Sequence, residues 1–255
     1  MRSGAFALAA SILLPLLPVA AQRPDSQWTL AAVRHQVESA DYRLSGRLVR
    51  VDGSGARTSD VVKIEAHWFP GVLRVLFQVT SPAAARVHVL LEMRPRGRNT
   101  ILIAHPGDAA ATALPFDKWN DGPLGETFSY EDFMEAQYFW AGQRDMGKAQ
   151  FGARNCDLLR STPDPTDKTH FATVKSWLDH ESGFPVYVEK KLKGSGNVKE
   201  FTYFGLRQTR GVWWASQVEA KNRGRAGSML LIIDRGTPNA HLNLQDFDLA
   251  QLNHF

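Results

Sequence analysis

The chain holds a single cysteine in 255 residues. One cysteine excludes an intramolecular disulfide and a cysteine-rich zinc module, so the fold must rest on core burial. Charge of one sign is also lacking: 30 Lys and Arg stand against 26 Asp and Glu, a formal net charge of +4, and no block of like charge concentrates the surplus. No nucleic-acid partner is expected from so dispersed an excess. The hydrophobic fraction of 44% is too high, and the charge too mixed, for a disordered chain. Beyond the N-terminus no apolar run is long enough to span a bilayer. Catalytic signatures are missing as well. The sequence has no G-x-S-x-G, no H-E-x-x-H, no P-loop and no G-x-G-x-x-G. No enzyme activity, catalytic residue, cofactor or metal is therefore expected.

What is present begins with an address. Arg2 supplies a positive start, and the stretch from Ala5 to Val19 is almost wholly apolar. Val19-Ala20-Ala21 offers small residues to a signal peptidase, and polar Gln22-Arg23-Pro24-Asp25 follows. This is the build of a cleaved signal peptide over residues 1–21. Pro15 and Pro18 interrupt the run and argue against a retained anchor. The expected product is an exported, periplasmic protein, with residues 22–255 forming one domain.

Along the remainder, Trp28 to Val37 reads as a short helix, with Leu30, Val33 and Val37 at helical spacing. The period then changes to two. Tyr42, Leu44, Gly46 and Leu48 alternate with polar neighbours, as do Val62, Ile64, Ala66 and Trp68. Leu73, Val75 and Phe77 alternate with Arg74 and Gln78, and Val89, Leu91 and Met93 with His88 and Glu92. Asn99 to Ala104 reads as a fifth strand. Gly107 to Gly125 shows no period and reads as loop with short helical pieces. Ser129-Tyr130-Glu131-Asp132 is a capping box, predicting a second helix that runs to Trp140 and carries Phe133, Met134 and Gln137. Strands are predicted again over 155–161, 171–179, 185–192, 199–206, 212–221 and 228–234. Hairpin spacing without intervening helices predicts an antiparallel meander of about eleven strands, a mainly β (α+β) fold.

So large a sheet must curl, and its apolar face must be covered. Two short helices cannot fill it tightly. Two readings follow: a greasy cavity under a helical lid, or a core filled by the seven Trp and fourteen Phe. Other candidate sites are weaker. His67 and His88, with Glu65 or Glu92, are a conceivable metal pair, but exposed strand histidines are the plainer reading. Cys156 with His170 or His180 is a conceivable nucleophile–base pair, but nothing nearby predicts a lowered thiol pKa. Lys190-Lys191-Leu192-Lys193 reads as a solvated hairpin tip. Trp213-Trp214 reads as one ring on each face of a strand.

Several segments then carry a family likeness through their order. They are Trp68-Phe69-Pro70-Gly71-Val72-Leu73-Arg74 with Ser81-Pro82, then Phe128-Ser129-Tyr130-Glu131-Asp132-Phe133, then Cys156-Asp157-Leu158-Leu159-Arg160-Ser161-Thr162-Pro163. Val174-Lys175-Ser176-Trp177-Leu178-Asp179, Gly183-Phe184-Pro185-Val186 and Leu242-Asn243-Leu244-Gln245-Asp246-Phe247 complete the order. The chain resembles the outer-membrane lipoprotein-sorting protein family, relatives of the periplasmic lipoprotein carrier LolA. That resemblance implies an unclosed, strongly curved antiparallel β-barrel with helices covering its concave side. It implies a carrier that binds acyl chains of lipoproteins or lipids non-covalently for transfer toward the outer membrane. An inner-membrane transporter or an outer-membrane acceptor would be its partner, and a non-catalytic module docking to a transporter is the alternative. The expected apolar wall is Leu73, Val75, Phe77, Val89, Leu91 and Met93, and the expected lid contacts are Phe133, Met134 and Tyr138. Arg74 is the candidate for the arginine with which such carriers hold the lid closed.

Overall fold

The computed structural model describes residues 26–123 and 125–255; the expected signal peptide lies outside the described residues. Helix α1 (Ser26–Glu38) is followed by strands β1 (Asp41–Val51), β2 (Arg57–Phe69), β3 (Val72–Ser81), β4 (Val87–Met93), β5 (Thr100–Ala104) and the short β6 (Thr112–Ala113). After a non-strand segment come β7 (Gly142–Phe151), β8 (Arg154–Thr162), β9 (Phe171–Asp179), β10 (Pro185–Leu192), β11 (Val198–Thr209), β12 (Val212–Asn222) and β13 (Ser228–Pro238). A four-residue helix α2 (Leu249–Leu252) ends the sequence of elements. Among the described residues no helix is long and apolar enough to cross a membrane.

All thirteen strands form one sheet in the order β6-β5-β4-β3-β2-β1-β13-β12-β11-β10-β9-β8-β7, and its pairs are antiparallel. Among the described residues the count is thirteen, not about eleven. The two additions, β6 and β7, are the outermost strands. β7 hides from a hydrophobic reading because its side chains alternate between exposed and half-buried, never buried. Neither edge pairs with the other, so the sheet is unclosed.

Hairpins account for every neighbouring pair except one. β1 lies beside β13, which places the two ends of the meander at the centre of the sheet. The chain between β6 and β7 must therefore travel from one outer edge to the other. Residues 114–141 make that passage, and they bury Trp119, Phe128, Tyr130, Met134, Tyr138 and Trp140 in the main core.

That core also shows how far the sheet bends. Phe77 on β3 touches Phe133 (ring centroids 4.9 Å), Phe133 stacks on Phe128 (4.8 Å), and Phe128 meets Phe201 of β11 edge-on (5.4 Å). β3 and β11 are five places apart in the sheet, roughly 24 Å along a flat surface at about 4.8 Å per strand. Three ring contacts close that gap only because the sheet folds over towards itself. Gly46 marks one site of the bending. The β1–β13 register slips between Ser45 and Gly46, a bulge of the kind that kinks a strand. A Cβ on Gly46 would stand 1.9 Å from the carbonyl oxygen of Ile232.

The alternation of β3 and β4 sends Leu73, Val75, Phe77, Val89, Leu91 and Met93 into the main core. Their neighbours Leu76 and Leu90 lie on the other face, in a second cluster with Ala104, Leu242, Phe247 and Leu252. The opposite face of these strands is thus covered in part by the C-terminal segment, which the polar residues Arg74, Gln78 and His88 gave no reason to expect.

The predicted helix from Ser129 to Trp140 is two 3-10 turns, Tyr130–Met134 and Ala136–Phe139. The capping box exists: Asp132 Oδ2 accepts from Ser129 N (2.8 Å) and Ser129 Oγ (2.7 Å). What ends the first turn is Glu135, which adopts φ 48° and ψ 29°. A left-handed residue cannot continue a right-handed helix. Tyr130, Tyr138 and Trp140 are all buried, and at about 100° per residue one α-helix would have spread them over different sides instead of along a single stripe.

Candidate functional site

Between the folded-over halves lies an open-mouthed cavity of about 200 Å³. α1 contributes Val33 and Val37, β2 and β3 contribute Ile64, Leu73 and Val75, and the crossing segment contributes Phe128 and Phe133. β11 to β13 supply Phe201, Val218, Leu231 and Ile233, and Val212, Trp213 and Trp214 complete the wall. For scale, an engineered apolar cavity of about 150 Å³ in another protein stays dry and binds benzene. This one is therefore ample for part of an apolar ligand.

Of the nine expected contacts, Leu73, Val75 and Phe133 line the cavity. Phe77, Val89, Leu91, Met93, Met134 and Tyr138 belong to the same core, but they are closed off by packing, each at most 1% exposed. The hollow of the sheet is thus divided. Its β3–β4 side is filled by the crossing segment, and open space remains towards α1 and β11–β13.

The crossing segment is held down by polar anchors that pattern reading missed. Asp132, 6% exposed as a residue, receives Lys190 Nζ on Oδ1 at 3.0 Å and Lys199 Nζ on Oδ2 at 3.2 Å. Lys190 also donates to the Asp132 carbonyl (3.4 Å), and Lys199 to Ser129 Oγ (3.0 Å). Each lysine rests over aromatic faces, Lys190 over Phe171 and Phe201, Lys199 over Phe171. Lys190 is therefore no part of a solvated tip; the exposed turn begins after it. Burial alone would raise the Asp132 carboxyl, but the two ammonium groups and Ser129 overcome that and hold it at about 2. Burial depresses Lys199, with Asp132 opposing.

Glu131 is anchored beside it. Its carboxylate accepts from Thr169 Oγ1 and from the backbone N–H of His170 (3.2 Å), and it meets His170 Nδ1 at 2.8 Å. At the other end of the segment, Arg34 of α1 donates to the Tyr138 carbonyl at 2.7 Å and lies over the Phe139 ring. The arginine that grips this segment is therefore Arg34. Arg74 pairs with Glu92 (2.9 Å) and lies over Phe69, which packs on the second cluster across the sheet from the crossing segment.

One carboxyl in the cavity is not anchored. Glu135 lines the cavity beside Asp132, Lys190, Tyr42 and Tyr203. Among the described residues it has no ion-pair partner, and none of the hydrogen bonds described above reaches its carboxyl. Burial raises its pKa, with Lys190 pulling the other way. Burial, and then the nearby Glu135 charge, push the phenols of Tyr42, Tyr138 and Tyr203 upward.

The other candidate centres are taken up by structure. On β3, His67 faces Arg74 and His88 faces Gln78, four residues further along. His67 Nδ1 meets Asp41 Oδ1 (3.2 Å), and His88 Nδ1 meets the Leu252 carbonyl (3.1 Å). Among the described residues no group of three or more His, Cys, Asp or Glu is arranged to hold a metal ion. Burial pushes the Cys156 thiol up, the wrong direction for a nucleophile. His170 is occupied by Glu131, and His180 by Asp157 at 2.8 Å.

Comparison with known proteins places this architecture. The whole described sheet is similar to that of an outer membrane lipoprotein-sorting protein domain from Vibrio parahaemolyticus, with TM-score 0.79 and 15% identity over 90% of this chain and 100% of that one. A DUF1329 family protein from Desulfovibrio piger matches at TM-score 0.78 and 12% identity, over 89% and 98% of the two chains. A LolA superfamily protein from Nitrosomonas europaea matches at TM-score 0.67 and 14% identity, over 89% and 99%. The fold, one unclosed antiparallel sheet, is thus shared with these three structures. No curated protein matches the sequence. A family model described as "Uncharacterized protein" matches residues 112–254, and the chain belongs to that family.

Proposed function

We propose that this protein is a non-enzymatic periplasmic carrier of amphiphiles, holding the acyl chain of a lipid or lipoprotein in the cavity during transfer toward the outer membrane. The observation that carries the reading is the apolar, open-mouthed cavity left between α1, the crossing segment and β11–β13. Acyl carbons entering it leave water at about 0.8 kcal/mol per CH₂. A cavity of this size takes only part of a long chain. The remainder extends past Trp213 and Trp214, or the crossing segment shifts to extend the hollow. α1 and the two 3-10 turns act as the cover. Likeness of fold to a lipoprotein-sorting domain supports the assignment. Residues 1–21 direct export, residues 22–255 form one carrier domain, and an inner-membrane transporter or outer-membrane acceptor exchanges the cargo.

The packed half of the hollow, where Phe77, Leu91 and Met93 are sealed, favours the second reading: an interaction module that docks to a membrane transporter. The deciding experiment is mass spectrometry of an organic extract from protein purified without detergent. The comparison is a variant whose cavity is filled by Val75→Phe and Leu231→Phe. Stoichiometric lipid in the wild type, absent from the filled variant, supports the carrier. A clean extract, together with no binding of a fluorescent fatty-chain probe, supports the module.

A further inference from the structure

Glu135 breaks two local rules at once. It holds a left-handed backbone conformation, φ 48° and ψ 29°, at the junction of the two 3-10 turns. Glycine would take that conformation without cost; a glutamate there costs about 1–2 kcal/mol. It also puts into a mostly apolar cavity, beside Asp132 and Lys190, a carboxyl that has no ion-pair partner among the described residues. Every other acid of the crossing segment named above is satisfied. Asp132 is bracketed by two lysines, and Glu131 by Thr169 and His170. A strained backbone and a carboxyl left open to the cavity, met at one residue, are what a structure retains where a ligand completes the site.

The surroundings narrow what that ligand is. The cation nearest the cavity, Lys190, is committed: Asp132 takes its ammonium, and the rings of Phe171 and Phe201 cover it. Among the described residues lining the cavity an anionic head would find no uncommitted cation, and it would face the Glu135 carboxylate. A head that donates hydrogen bonds would find an acceptor waiting, with Tyr42 and Tyr203 lining the same cavity.

The geometry points to Glu135 as the head-group receptor of the cavity: the protein takes an amphiphile whose polar end is a hydrogen-bond donor, an amine or a hydroxyl, and rejects a carboxylate. This rests on the carrier reading. It adds the polar determinant that apolar walls cannot supply, since methylenes alone do not distinguish heads.

The test uses three ligands with one chain: decylamine, decanol and decanoate, titrated calorimetrically at pH 8, the two charged ones below their micellar concentrations and decanol below its solubility limit. Wild type and Glu135→Gln are compared, with circular dichroism confirming that the variant is folded. The expected result is that wild type binds decylamine and decanol at least tenfold more tightly than decanoate. In Glu135→Gln the preference for decylamine over decanoate falls by about tenfold, while decanol, which the amide carbonyl still accepts, changes little. Decanoate binding wild type as tightly as decylamine overturns the inference, and so does an unchanged ranking in the variant. If none of the three binds wild type, the carrier reading itself fails and this inference falls with it.

Discussion

Lys199 Nζ lies 3.2 Å from Asp132 Oδ2, and the two side chains are each 1% exposed. A strand of the sheet and the segment that crosses it are thus joined by a salt bridge inside the core, and Lys190 adds a second. A buried ion pair contributes little compared with a well-packed apolar pair, but breaking it is costly because the surviving charge has no water. Asp132→Ala would strand two ammonium groups. We expect a loss of about 3–5 kcal/mol, read as a fall in the denaturant midpoint with the slope unchanged.

The same pair sets an acid limit. The Asp132 carboxyl stands at about 2 in the folded protein, against 3.8 unperturbed. A depressed carboxyl stabilises the fold above the unfolded value and loses that contribution as pH falls through the folded one. The contribution is about 2 kcal/mol at neutral pH. Denaturant midpoints should fall between pH 4 and pH 2, and the difference between wild type and Asp132→Asn should narrow over the same interval. A constant difference across it would show that Asp132 is not the titrating group.

Arg34 reaches from α1 to the Tyr138 carbonyl and the Phe139 ring. Arg34→Ala removes a charge-assisted bond and a stacked contact at a partly solvated site, a cost of about 1–2 kcal/mol. The loss should be local. Hydrogen exchange should accelerate at residues 136–139 before the sheet is affected, and lipid release should quicken if this turn is the moving part of the cover.

Gly46 has no room for a side chain, because a Cβ would sit 1.9 Å from the Ile232 carbonyl oxygen. Gly46→Ala must push β1 from β13 at the centre of the sheet. A loss of about 1–3 kcal/mol or more is expected, visible as a lower melting temperature. Gly55 is a control: nothing lies within 4 Å of a Cβ there, although its φ of 87° leaves a conformational cost.

Period-two alternation was enough to find most strands, because β2, β3 and β4 bury one side fully. It was silent on β7, which buries nothing completely. The apolar phases of β3 and β4 sufficed to put Leu73, Phe77 and Leu91 on one face, but spacing does not say which of them a distant segment will cover. The capping box at Ser129 was legible; the helix after it was not, because only the tertiary position of Glu135 imposes the left-handed turn. Lys190 read as surface because a run of lysines normally is. Its partner Asp132 lies 58 residues away, beyond any local pattern. Glu135 carried one faint signal: an acid set directly between Phe133-Met134 and Ala136.

The pairing of β1 with β13 sets the order in which the molecule can assemble. Tyr42 takes Pro238 as its register partner, and Val51 takes Ser228. The middle of the sheet cannot exist until both ends of the meander have emerged and met. Each arm can zip outward through local hairpins, but their union requires closing a loop of nearly the whole described chain, and such contacts form late and slowly. A chain built this way stays incomplete while its last strands are still being made. On the export reading proposed above, that delay suits a polypeptide that must be threaded through a narrow channel before it folds.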